Sequence, residues 1–94
     1  TNPQGNKLHW TSSKTDFTEL IYALHASGVF NNGKVSIKEI VETFQNVFNI
    51  DISQHNRIFY DIKLRKRFKT KYLDQLKVLL LKKINEADFE LFTE

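Results

Sequence analysis

The sequence predicts a mainly α domain: four helices in a helix-turn-helix or winged-helix-like arrangement, with at most a small two- or three-stranded β element. Three observations lead there. Ninety-four residues hold one hydrophobic core and no more. Apolar residues recur at steps of three and four along most of the chain, the spacing of one helix face. Each recurring run is preceded by residues that cap helices, Ser, Thr or Asp.

Lys7-Leu8-His9-Trp10 is short and reads as a strand or an extended arm. Ser12, Ser13, Thr15 and Asp16 then offer a row of capping oxygens, and Asp16 to Glu19 has capping-box spacing. Phe17, Leu20, Ile21 and Leu24 form the apolar face of a first helix over about 15–27. Gly28 ends it, being free to take positive φ. Val29-Phe30 and the Asn31-Asn32-Gly33 turn follow, and Lys34-Val35 is a candidate for pairing with another extended piece. Ser36 and Glu39 make a second capping box. Ile37, Ile40, Val41, Phe44, Val47 and Phe48 line a second helix over about 37–48. With Ser53 as cap, a third helix over about 54–67 carries a narrow stripe of Ile58, Phe59 and Ile62. Thr70 caps a fourth over about 71–85. Its wide arc of Tyr72, Leu73, Leu76, Leu79, Leu80 and Ile84 should be mostly buried against the other three helices. The acidic tail 86–94 is expected to fray, which leaves an ordered core of about 7–85 in a single domain spanning 1–94. Without an initiating Met, and opening Thr-Asn-Pro-Gln-Gly, the chain reads as a fragment of a longer intracellular protein. No apolar run approaches the length of a membrane span.

Composition excludes several chemistries. With no cysteine there are no disulfides and no thiolate sites. His9, His25 and His55 lie far apart without metal-ligand spacing, and Gly5, Gly28 and Gly33 are isolated, so no phosphate loop exists. No nucleophile motif is present, so an enzyme is not expected. No cofactor, metal site or small-molecule ligand is indicated.

Charge is the informative feature. The net +3 conceals a net of −1 over residues 1–52, +8 over 53–84 and −4 over 85–94. Seven Lys or Arg fall between Arg57 and Lys71, with Asp61 the lone acid among them. Asp61 and Asp74 are expected to pair with neighbouring cations. A concentrated positive field suits a polyanion. Two helices joined by a short turn, the second of them basic, is the layout of a DNA reader. With Ile58, Phe59 and Ile62 turned to the core, the opposite side of the third helix carries Asn56, Arg57, Tyr60, Lys63 and Arg67. Arg bridges the acceptors of guanine, and Asn or Gln bonds adenine in the same two-point way. Gln54, Asn56, Arg57 and Tyr60 are therefore the candidates for base contacts. Lys63, Arg67, Lys69, Thr70 and Lys71 are the candidates for phosphates, Thr70 together with the first amides of the fourth helix. The partner is then double-stranded DNA, with RNA polymerase or a second copy as further partners and no membrane. The other reading is a protein-interaction module, in which the basic face and the C-terminal tail with Phe89, Leu91 and Phe92 meet a partner protein.

Two stretches resemble the C-terminal region of the RteC family. One is Leu8-His9-Trp10-Thr11-Ser12-Ser13-Lys14-Thr15-Asp16-Phe17-Thr18-Glu19-Leu20-Ile21-Tyr22-Ala23-Leu24. The other is Arg65-Lys66 followed by Thr70-Lys71-Tyr72-Leu73-Asp74-Gln75-Leu76. The resemblance covers about 7–85. It implies a helical, winged-helix-like DNA-binding domain of the bacterial cytoplasm, one that activates excision and transfer genes on conjugative transposons of Bacteroides-type bacteria. Residues 68–70 leave almost no room for a hairpin, so any sheet must use 8–10 and 29–35. Trp10 reads as a core plug, and Ser13 and Asp16 as caps.

Overall fold

A computed structural model describes the backbone of residues 8–93 and the side chains of 8–87. Four helices, α1 (Lys14–Ser27), α2 (Ile37–Phe48), α3 (His55–Leu64) and α4 (Lys71–Thr93), are joined by a 3-10 turn at Asn31–Gly33 and two short connections. Helix α1 is the hub, and α2, α3 and α4 each pack chiefly on it rather than on one another.

The start of α1 is set locally. Ser13 Oγ accepts from the Asp16 amide at 3.0 Å, and Ser12 Oγ donates to the Asp16 carboxylate at 2.8 Å. Trp10 straps this end to α2: its indole Nε1 donates to Ser13 O (2.8 Å) and its amide to Phe48 O (2.9 Å). The ring lies against Phe17, Phe48 and Tyr72. Gly28 closes α1 in the left-handed region at φ 73°. The Ser36–Glu39 box at α2 is complete in both directions. Phe17, Ile21, Ile40, Val41 and Ile52 form the buried core, with Phe30, Phe44 and Phe48 around it. Ile52 anchors the connection 49–54, where its amide donates to the Gln45 side chain. In the same connection, hydrogen bonds from Ser53 hold the Asp51 carboxyl below its ordinary pKa.

Several expectations need correction. No strand forms among the described residues. Residues 8–10 are held by isolated hydrogen bonds, and the 3-10 turn with Asn31 and Asn32 at positive φ bends the 29–35 segment out of any ladder. The winged-helix variant thus lacks its wing here. Gln54, not Ser53, occupies the N-cap of α3, and its side chain makes no capping bond. Helix α3 ends at Leu64 rather than 67, so Arg67 lies in the following turn. Helix α4 passes the expected end at 85 and stays helical to Thr93.

The largest correction concerns where α4 goes. Among the described side chains of α4 only Tyr72, Leu73 and Leu76 are half-buried; Val78, Leu79, Leu80, Leu81 and Ile84 are 45–63% exposed. The helix leaves the domain after about two turns. The Cα radius of gyration is accordingly 16.0 Å, where a compact chain of this length has about 12 Å.

Candidate nucleic-acid interface

Helix α3 is fixed from beneath. Ile62 and His55 are buried and Ile58 half-buried. Tyr22 of α1 stacks on Phe59 with centroids 4.1 Å apart and planes 7° from parallel. Its hydroxyl lies 2.9 Å from His55 Nδ1 and donates to Asn56 Oδ1 at 3.2 Å. Burial raises the Tyr22 pKa. A buried histidine holding a tyrosine hydroxyl is not legible from periodicity, since His55 falls at the very start of the helix.

The outward face of α3 carries Asn56, Arg57, Tyr60 and Lys63, all exposed. Asn56, Tyr60 and Lys63 form one stripe at steps of four and three, with Arg57 beside it. Gln54 is exposed just before the helix. The Asn56 carbonyl is engaged by Tyr22, which orients that amide. Among the described residues no acid or hydrogen-bond partner engages the side chains of Arg57, Lys63, Lys66, Arg67 or Lys71. The expected ion pairs of Asp61 and Asp74 do not form there; Asp74 accepts from the Thr70 hydroxyl instead.

The turn 65–70 replaces the missing wing, and its cations divide into two groups. Arg65 and Lys69 fold back onto carbonyls of the chain itself. The Arg65 guanidinium donates to Phe68 O at 3.1 Å and stands 3.8 Å from the Glu19 carboxylate. Lys69 Nζ donates to Lys63 O at the end of α3, where a cation is favoured by the helix dipole. Lys66 and Arg67 remain exposed. Between them and Lys69, Phe68 takes a left-handed backbone, φ 60°, and is 71% exposed. A bulky residue rarely sits there, at a cost of about 1–2 kcal/mol.

Glu19 is the residue that spacing misassigns. It sits buried on α1 and is not a helix cap there. Its Oε2 accepts from the Leu73 amide in the first turn of α4 at 2.9 Å, so α1 caps α4 with a carboxylate. The Lys71 amide is also taken, by Phe68 O. Two of the amides expected to receive a phosphate are thus bonded internally, and the Thr70 hydroxyl is bonded to Asp74.

The model of one family, RteC protein, matches residues 1–88. The chain belongs to the RteC family. Comparison with curated proteins and with solved structures finds no match. Membership in the RteC family points to a role in the regulation of conjugative transposons. Among the described residues, no group of three acid or histidine side chains is placed to hold a metal ion. No helix described is long and apolar enough to cross a membrane.

Proposed function

We propose that this RteC-family chain is a non-catalytic, sequence-specific DNA-binding regulator, an activator of conjugative-transposon excision and transfer genes in the bacterial cytoplasm. The supporting observation is the set of exposed, uncompensated cations on α3 and the turn after it: Arg57, Lys63, Lys66, Arg67 and Lys71. Cations that fold no acid against themselves carry their field outward, where a polyphosphate neutralises it and releases counterions. Base reading falls to Gln54, Asn56, Arg57 and Tyr60. Phosphate anchoring falls to Lys63, Lys66, Arg67 and Lys71, and Lys69 contributes more by holding the end of α3 than by reaching DNA. Thr70 is the weakest of the phosphate candidates, given its bond to Asp74. Phe68, presented between cations, is placed to press its ring on a sugar or base step. The helix-turn-helix in this reading is an open one. Six residues join α2 to α3, more than the usual three or four, and both helices take their orientation from α1.

Selection from a random duplex library at two salt concentrations tests this. Enrichment of one motif with a steep salt slope is expected. Arg57→Ala should relax specificity at one base position, by about 1–3 kcal/mol. Arg67→Ala should weaken all sequences alike and reduce the salt slope by about one. Binding that neither substitution alters would remove α3 and its turn from the interface.

The exposed distal half of α4 favours a second reading, a protein-interaction module. A single binding assay can hold both readings, because an activator needs protein contacts as well as DNA.

A further inference from the structure

We infer that the distal half of α4 pairs, antiparallel, with the same helix of a second copy of this chain. The inference is independent of the nucleic-acid reading. It starts from a stripe. Leu73, Leu76, Leu80, Ile84, Ala87 and Leu91 follow one another at steps of three or four along α4. Leu73 and Leu76 are half-buried where α4 packs on α1. The stripe then runs off the domain, and Leu80 and Ile84 stand 59% and 45% exposed, flanked by Leu79 and Leu81. A contiguous apolar surface of this kind on a charged helix marks an interface.

Charge identifies the occupant. Residues 71–84 carry a net +3 and residues 85–94 a net −4, so α4 is basic in its first part and acidic in its last. A helix with this polarity complements itself when reversed. An antiparallel pair with its two-fold axis near Ile84 sets residues 77–83 of each copy alongside 85–91 of the other, so that Lys77 and Lys83, on either flank of the stripe, meet the stretch that holds Glu86, Asp88 and Glu90. Such a pair is closed by symmetry. A parallel pair sets like charge on like. A purely acidic partner suits only the first half, and a basic one only the second. Length agrees as well. In the reversed register the far end of one helix reaches about as far as Leu76 of the other, where α1 begins to cover the stripe. The two domains therefore stand at opposite ends of the helix pair and do not compete for the same surface.

The test is the mass of the 94-residue chain in solution, by sedimentation equilibrium from micromolar to sub-millimolar concentration. A monomer–dimer equilibrium is expected. Leu80→Glu with Ile84→Glu, at positions the domain does not bury, should weaken the dimer by at least about a hundredfold and leave the thermal unfolding of the domain in place. Lys77→Glu with Lys83→Glu should also weaken it, and adding Glu86→Lys with Asp88→Lys should restore it. The chain has no cysteine, so single cysteines report orientation directly. Ile84→Cys should form a disulfide-linked dimer on oxidation, while Leu80→Cys should not, because antiparallel helices carry the two copies of position 80 apart. A monomer at every concentration overturns the inference. So does a dimer indifferent to Leu80 and Ile84, or cross-linking at both 80 and 84, which parallel helices would give.

Discussion

Helices α1 and the distal half of α4 carry apolar stripes of similar quality and opposite fate. Phe17 and Ile21 are fully buried on α1, the helix on which α2, α3 and α4 all pack. Val78 to Leu81 on α4 are half exposed or more. Periodicity is therefore a statement about which side of a helix seeks cover, and it does not say whether the same chain supplies that cover. What distinguishes the two is the order of elements. Helix α1 is followed by connections that bring α2, α3 and α4 back to it; no element described within residues 8–93 returns to the distal half of α4.

The comparison can be broken at its strongest point first. Phe17→Ala should destabilise the domain by about 3–5 kcal/mol, whereas Leu80→Ala in the monomeric state should stay within about 0.5 kcal/mol; urea unfolding of the two variants measures both. Equal effects would mean that the distal stripe is covered within the monomer. Next in size is Glu19→Ala, which strands the Leu73 amide and uncouples Arg65. A loss of about 1–3 kcal/mol is expected, with a fall in amide-exchange protection concentrated in the first turn of α4. Phe68→Gly should have a smaller effect and the opposite sign, stabilising the fold by about 1 kcal/mol as the left-handed backbone is relieved, while DNA affinity falls. The smallest effect is alkaline. Burial raises the Tyr22 and Tyr72 phenols above their ordinary value of 10.0. Folding thus favours their neutral form. That stability is complete below the ordinary value and is lost as pH rises through the raised one. Melting temperature should fall above about pH 10, and less steeply in Tyr22→Phe.

The sequence is most legible where the determining interactions are local. Helix α2 has the expected bounds because Ser36 and Glu39 cap each other within one turn. Gly28 stops α1 where only a residue without Cβ is comfortable. The outward residues of α3 follow from helical period alone, which suffices to place Asn56, Arg57, Tyr60 and Lys63 on one side. The end of α3 does not follow from it. No Gly or Pro marks that end; it is set by Arg65 and Lys69 folding back onto carbonyls and by an unusual φ at Phe68. Period therefore puts Arg67 on the wrong element, and it misses the internal bonds that occupy Lys69 and Thr70. Glu19 escapes local reading for the same reason, since its partner amide lies 54 residues away.

The Glu19 carboxylate also has a mechanical consequence. A helix gripped only over its first two turns is a lever, with the clamp at Leu73 and about 26 Å of free arm beyond Leu76. A pivot of about 5° at the clamp moves the tip by about 2 Å, more than the rise of one residue. The alignment of anything held at the tip is therefore set near the domain centre, where Tyr72, Leu73 and Leu76 pack and the Glu19 carboxylate supplies one hydrogen bond and one ion pair. Changing Glu19 or Arg65 would shift that alignment without touching a single residue at the far end.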